Sequence, residues 1–391
     1  MLNKTAYLYG SQRSAIRELF EYGNKKRAEL GADKVYDFSL GNPSVPAPIA
    51  VQKAFERIVT ETDPVQLHGY TSAQGSIDTR RAIASVMTAR SGMTIRPENL
   101  YLTCGAAASL SSCFGALTVD SKTEFLAIAP FFPEYKVFAE VLGASLRVVP
   151  ADEVSFRIDL EALSEMINEN TQGVIINSPN NPSGVIYPEE TLRALAAILR
   201  EKSAAYGHPI YLISDEPYRE LYYTENAPAF LPSIYSDTLI CYSYSKSFSL
   251  PGERIGYVCV PDCVTDAEMV YAAVAGAARR FGYVCAPSLL QRVVTECADV
   301  LPDLTVYKRN RDLLYTSLTE MGYDCVNPDG AFYLFVRSPM GDGAAFSEKA
   351  KAENVLVVPG AGFGAKNHIR IAYCDDTDRI ERALPPFTKL I

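Results

Sequence analysis

Residues 239–260 read LICYSYSKSFSLPGERIGYVCV: an apolar run, a serine-rich loop carrying one lysine, and a second apolar run. Short runs of apolar and β-branched residues bounded by turn formers have the length and content of buried strands. Working outward, the same kind of run recurs as YLTC from 101, FLAIA from 125, VIIN from 174 and IYLIS from 210. Amphipathic stretches lie between them. In 188–202, PEETLRALAAILREK, the residues Leu192, Leu195, Ile198 and Leu199 share one face, and two glutamates stand in the first turn, where the helix dipole favours them. Continuous apolar strands interleaved with helices predict an α/β fold with a mostly parallel sheet covered by helices on both faces.

The texture changes after about residue 290. A helical stretch over roughly 301–321 leads to YDCVNPDGAFYLFVRS, a further helix, then VLVVPG, HIRIAYC and a closing helix. This reads as a smaller α+β domain. The first 45 residues carry one expected helix and the extended segment VYDFSLGNPSVPAP, too little for a core of their own. The expected division is a large domain over 46–295 and a small domain built from 1–45 and 296–391.

A formal net charge of −9 over 391 residues excludes the basic face that nucleic acid or an anionic membrane surface requires. Nine cysteines occur without a CxxC pair, and His68, His208 and His368 are far apart. Reduced thiols are therefore expected, and no metal site. The N-terminus has neither a long apolar stretch nor a small-residue cleavage site, and no run is long enough to span a membrane. A soluble, cytoplasmic protein is the expectation.

Four of the strand ends carry chemistry. Ser243, Ser245 and Lys246 follow LICYS, with Arg254 eight residues beyond the lysine. Strand carboxyl ends are where open α/β sheets bind ligands, although a polar loop with a solvated lysine has the same composition. Asn177-Ser-Pro-Asn-Asn181-Pro-Ser-Gly184 follows VIIN and also fits a plain turn. Asp215-Glu-Pro-Tyr218 ends IYLIS; its acid is either a helix N-cap or the counter-charge for a cationic group. Gly105, Ala106 and Ala107 run from a strand into a helix, either as close packing or as an anion cradle at the helix N-terminus.

In chain order these elements join LGNPSVPAP, Tyr70 with TSAQGSIDTRRAIA, PFFPEY and NHIRIAY. The whole resembles the fold-type-I aminotransferases of classes I and II that use pyridoxal 5'-phosphate (PLP), the group containing aspartate aminotransferase. The resemblance implies transfer of an amino group between an amino acid and a 2-oxo acid, with PLP held as a Schiff base on Lys246. It implies that Asp215 pairs with the pyridine nitrogen, and that Tyr218 and Asn181 face the cofactor's phenolic oxygen. By the same resemblance Phe132 would stack on the ring, and the roles that follow are implied in the same way. The backbone of Gly105, Ala106 and Ala107, the hydroxyls of Ser243 and Ser245, and Arg254 hold the phosphate. Arg370 takes the substrate carboxylate, beside Gly41, Asn42 and Asn181. Tyr70 implies a homodimer, because it would reach the phosphate of a neighbouring subunit.

Ala107 departs from relatives that place a hydroxyl there, which assigns compensation to Ser245 or Ser109. Arg279 or Arg280 would read a distal carboxylate, or else end a helix as an ordinary surface pair. The same motifs serve a β-lyase that releases thiol and ammonia. A non-enzymatic regulator on this fold normally carries an N-terminal DNA-binding domain; the roughly 45 residues before the sheet domain and the acidic net charge weigh against that expectation.

Overall fold

The computed structural model describes residues 2–11, 15–150 and 152–391. Thirteen strands are present among them: β1 (Tyr36–Asp37), β2 (Leu100–Thr103), β3 (Glu124–Ile128), β4 (Ser145–Val149), β5 (Thr171–Asn177), β6 (Tyr211–Asp215), β7 (Thr238–Ser243), β8 (Gly256–Cys259), β9 (Asp324–Cys325), β10 (Tyr333–Arg337), β11 (Val355–Leu356), β12 (Val358–Pro359) and β13 (His368–Ala372). Seven make the central sheet in the order β2-β8-β7-β6-β5-β3-β4. All its neighbours pair in parallel except those of β8, which is antiparallel to both β2 and β7. The α/β fold with a mostly parallel sheet is the one the apolar runs predict.

Alternation along each strand explains the two covered faces. Leu126, Val174, Ile176 and Leu212 point to one face and pack with Leu192, Leu195, Ala196 and Leu199 of the helix Glu189–Tyr206. Phe125, Ala127, Ile175 and Ile213 point to the other, against Leu110, Cys113, Phe114 and Leu117 of the helix Ala106–Leu117. Each fully buried side chain of this size contributes about 1.5–3 kcal/mol by leaving water. The strand β4 was not among the expected runs. It lies at the sheet edge with Ser145 and Val148 exposed, so its residues SLRVV show no continuous apolar run.

A second sheet, antiparallel, has the order β12-β13-β10-β9. The short β1 pairs in parallel with β11, Tyr36 beside Val355, which ties the N-terminal segment to the far end of the chain. Phe38 is fully buried with Phe332, Val336, Ile369 and Ile371. The N-terminal segment holds two α-helices, Lys4–Ser11 and Ala15–Leu30, where the sequence predicts one. The first buries none of its side chains, so its sequence has no apolar face to read. The helix expected over 301–321 spans Thr305–Glu320.

Candidate active site

A cavity of about 310 Å³ lies at the carboxyl ends of β5, β6 and β7 and is closed by residues of β10, β13 and the segment around Gly41. Asn177 and Asp215 end their strands, and Ser243 ends β7 and caps the one-turn helix Tyr244–Ser247 by accepting from the Ser245 amide at 3.2 Å. That turn presents Lys246. It is pinned from beneath by Tyr242, whose hydroxyl lies 2.8 Å from Glu220 and 2.9 Å from Ser247.

Lys246 is half-buried and, among the described residues, pairs with no carboxylate; its Nζ donates to the Gly41 carbonyl at 2.6 Å and sits 5.3 Å from the ring centre of Phe332. Burial above all, with Arg370 and Arg254 adding repulsion, brings the amine down to about 8. Asp215 is buried, and its Oδ2 accepts from the Tyr135 hydroxyl at 2.6 Å. Its Oδ1 is buried without any partner. Burial pushes this carboxyl up to about 7, although the Tyr135 bond opposes the shift. A carboxylate oxygen in that state is strongly destabilised unless a cationic N–H group meets it.

The same cavity holds a cluster of anion donors. Ala106 and Ala107 open a 12-residue helix, and their amides, at its first two positions, have no acceptor within it. Gly105 caps that helix at φ 82°, and a Cβ there would fall 2.5 Å from Arg254 Nη2, so only glycine lets the guanidinium lie against this turn. Ser243 Oγ and Ser245 Oγ are 2.6 Å apart, with Arg254 Nη1 3.4 Å from Ser245 Oγ. Ser109 does not join them. Its hydroxyl is fully buried, 2.7 Å from Thr103 and donating to the Tyr257 carbonyl at 3.1 Å, so any compensation for Ala107 falls to Ser245.

Arg370 is 2% exposed, and no carboxylate pairs with it among the described residues. Nη1 donates to Asn181 Oδ1 at 3.0 Å and Nη2 to the Ser39 carbonyl at 2.6 Å, while Nε has no partner. The rings of Tyr333 and Phe363 lie 4.5 Å and 5.0 Å from its guanidinium carbon. A buried cation flanked by two rings, with no carboxylate beside it among the described residues, has the donor geometry to accept one.

Of the residues singled out in the sequence, Gly41, Ala106, Ala107, Phe132, Asn181, Asp215, Tyr218, Ser243, Ser245, Lys246, Arg254 and Arg370 line this cavity. Asn42 lines an adjoining cleft with Pro43 and Ser44. Tyr70 is 92% exposed outside the cavity, and Arg279 and Arg280 are exposed at the end of the helix Ala267–Arg280. Sequence reading missed the parts played by Asn177, Tyr135 and Tyr333. Asn177 fixes the site from behind, donating to the Asp215 carbonyl at 2.8 Å and accepting from the Asn181 amide at 2.7 Å. The signal for Tyr135 was present, since a tyrosine inside an apolar segment needs a partner for its hydroxyl.

The model of the family "Aminotransferase class I and II" matches residues 33–385. The chain is 30% identical over 378 residues to the probable aspartate/prephenate aminotransferase of Thermus aquaticus, covering 94% of this chain and 95% of that one. It is 29% identical over 383 residues to a probable aspartate aminotransferase of Methanocaldococcus jannaschii, covering 95% of both. Among solved structures, an amino transferase from Eubacterium rectale superposes with a TM-score of 0.97 at 55% identity, over 100% of this chain and 98% of that one. The aspartate aminotransferase of Thermus thermophilus with maleate gives 0.87 at 26% identity, over 100% of both chains.

Proposed function

The chain belongs to the class I and II aminotransferases, enzymes that move amino groups between amino and oxo acids, and on that premise we propose that its cofactor is PLP, carried on Lys246. The observation that supports this most is the buried, unpartnered Oδ1 of Asp215 in a cavity that also holds a lysine and a cluster of anion donors. A protonated pyridine nitrogen supplies the N–H that this oxygen lacks. Ala106, Ala107, Ser243, Ser245 and Arg254 fit a phosphate in charge and donor type, Phe132 offers a ring to stack on, and Tyr218 and Asn181 fit the phenolic oxygen. When bound, PLP supplies an aldehyde that condenses with amines and a ring that withdraws electrons.

The side chains divide the remaining work. Arg370 takes the substrate α-carboxylate, and Gly41 and Asn181 close beside it. Lys246 Nζ, with its affinity for protons brought near neutrality by burial, would take the proton from the substrate α-carbon and deliver it on the cofactor side. Asp215, once it faces a cation, stays ionised and holds positive charge where electrons must be drawn. The apolar walls from Leu40, Leu110 and Phe132 exclude water from the reacting atoms. The expected result is a half-reaction. An amino acid should bleach the visible band of the loaded protein, and a 2-oxo acid should restore it. A band that amino acids leave unchanged, or bleach only with release of ammonia, would refute transamination.

The same reading makes 46–295 the large, cofactor-binding domain and joins 1–45 to 296–391. It also makes the enzyme a cytoplasmic homodimer with shared sites. Val65, Tyr70 and Val284 are 82%, 92% and 65% exposed. Their segments lie side by side, with Ser288 donating to the Leu67 carbonyl and Gln291 to Thr71. Large exposed side chains in one region suit an interface between copies. Sedimentation should give a dimer, and Tyr70→Phe should weaken PLP retention without dissociating it; an active monomer contradicts the shared site.

A further inference from the structure

We infer that Tyr333 is a positioning residue that organises both ends of the cavity, orienting Tyr218 through its hydroxyl and holding Arg370 flat with its ring. This rests on the reading above, in which Tyr218 faces the cofactor's phenolic oxygen. Tyr333 begins β10 and stands opposite Ala372, two pairs along from the strand neighbours Phe335 and Arg370 and so on the same face. It is 2% exposed and lines the cavity. Its hydroxyl oxygen is 2.8 Å from that of Tyr218, while its ring lies 4.5 Å from the guanidinium of Arg370. The N-terminal segment closes the third side. A Cβ at Gly41 would fall 1.9 Å from the Tyr333 hydroxyl, so the glycine backbone rests directly on it.

Two hydroxyls in contact share one proton between them and leave one free. Burial pushes Tyr218 well above its ordinary range and Tyr333 up to about 12, so both keep their protons near neutral pH. An anionic oxygen before Tyr218 takes that residue's proton, which leaves Tyr333 to donate to the Tyr218 oxygen. A phenol that accepts a hydrogen bond donates a stronger one. Tyr333 therefore strengthens the bond by which Tyr218 lowers the basicity of the chromophore. The other groups facing the pair are Arg370, Asp215 and Cys374, with Lys246 on the same cavity wall. None is touched by the substitutions below. The ring acts separately: lying 4.5 Å from the guanidinium carbon, with the Phe363 ring at 5.0 Å, it limits the orientations in which Arg370 meets a carboxylate.

Two variants of the PLP-loaded protein separate these roles. Tyr333→Phe keeps the ring and loses the hydroxyl. Its visible absorbance should titrate about half a unit higher than that of the unchanged protein, with KM for the amino acid within about twofold. Tyr333→Leu loses both, and should add a rise in KM of about tenfold. An unchanged titration midpoint in Tyr333→Phe overturns the link to Tyr218, and an unchanged KM in Tyr333→Leu overturns the hold on Arg370. Absence of a visible band in the unsubstituted, loaded protein would instead overturn the cofactor assignment on which the inference rests.

Discussion

Lys246→Ala is expected to lower transamination by at least about 10³-fold, the range lost with a positioned acid-base group that also carries the reacting centre. The loss should fall on turnover. Arg254 and Arg370, the other cationic side chains lining the cavity, offer only N–H donors and no acceptor, so neither can take a proton from carbon. The fold should survive the change. Among the described residues the lysine makes no ion pair and bonds only to the Gly41 carbonyl, in a setting that burial already makes unfavourable for a cation. The check is a single-turnover measurement at saturating amino acid, beside a melting curve. A variant that keeps turnover within tenfold removes Lys246 from the chemistry.

Asp215→Asn should cost about 10²–10³ in turnover and little in KM, because a charge opposite the ring nitrogen matters most when electrons enter the ring. The protein without cofactor should respond in the opposite sense. The folded-state pKa of Asp215 stands near 7 against an ordinary 3.8, so the folded form favours the protonated acid. Its stability is therefore complete below about pH 4 and declines as the pH rises through 7, by about 4 kcal/mol in all as an order of magnitude. Asparagine cannot ionise, so the variant should melt higher than the unchanged protein at pH 8, with the difference shrinking towards pH 4. Addition of PLP should narrow or reverse the order at pH 8, since the cation then stabilises the carboxylate. Equal melting of both apoproteins at pH 8 would show that Asp215 is not held at a cost.

The central sheet and most of the site were legible because one physical rule serves both. A buried parallel strand must be apolar throughout, so any polar residue at its carboxyl end stands out, and Asp215 and Ser243 were found in that way. The edge strand β4 escaped because one side of it meets water and its apolar run is broken by Arg147. The first N-terminal helix escaped because it buries nothing. Ser109 was misjudged for a different reason. A serine one turn into the helix that carries Ala107 has the right spacing for a phosphate, but its face of the helix turns inward to Thr103 and β8. Tyr333 was illegible altogether. Its meaning lies in Tyr218, 115 residues away, and in Arg370 on the neighbouring strand, and nothing local distinguishes it from the other aromatic residues of GAFYLF.

The attachment of PLP to Lys246 is tested most directly by borohydride reduction of the loaded protein followed by peptide mapping. The reduced cofactor is expected on the single peptide that contains Lys246, and Lys246→Ala protein treated in the same way should carry none. Label on any other lysine, or label that persists in the variant, would contradict the account.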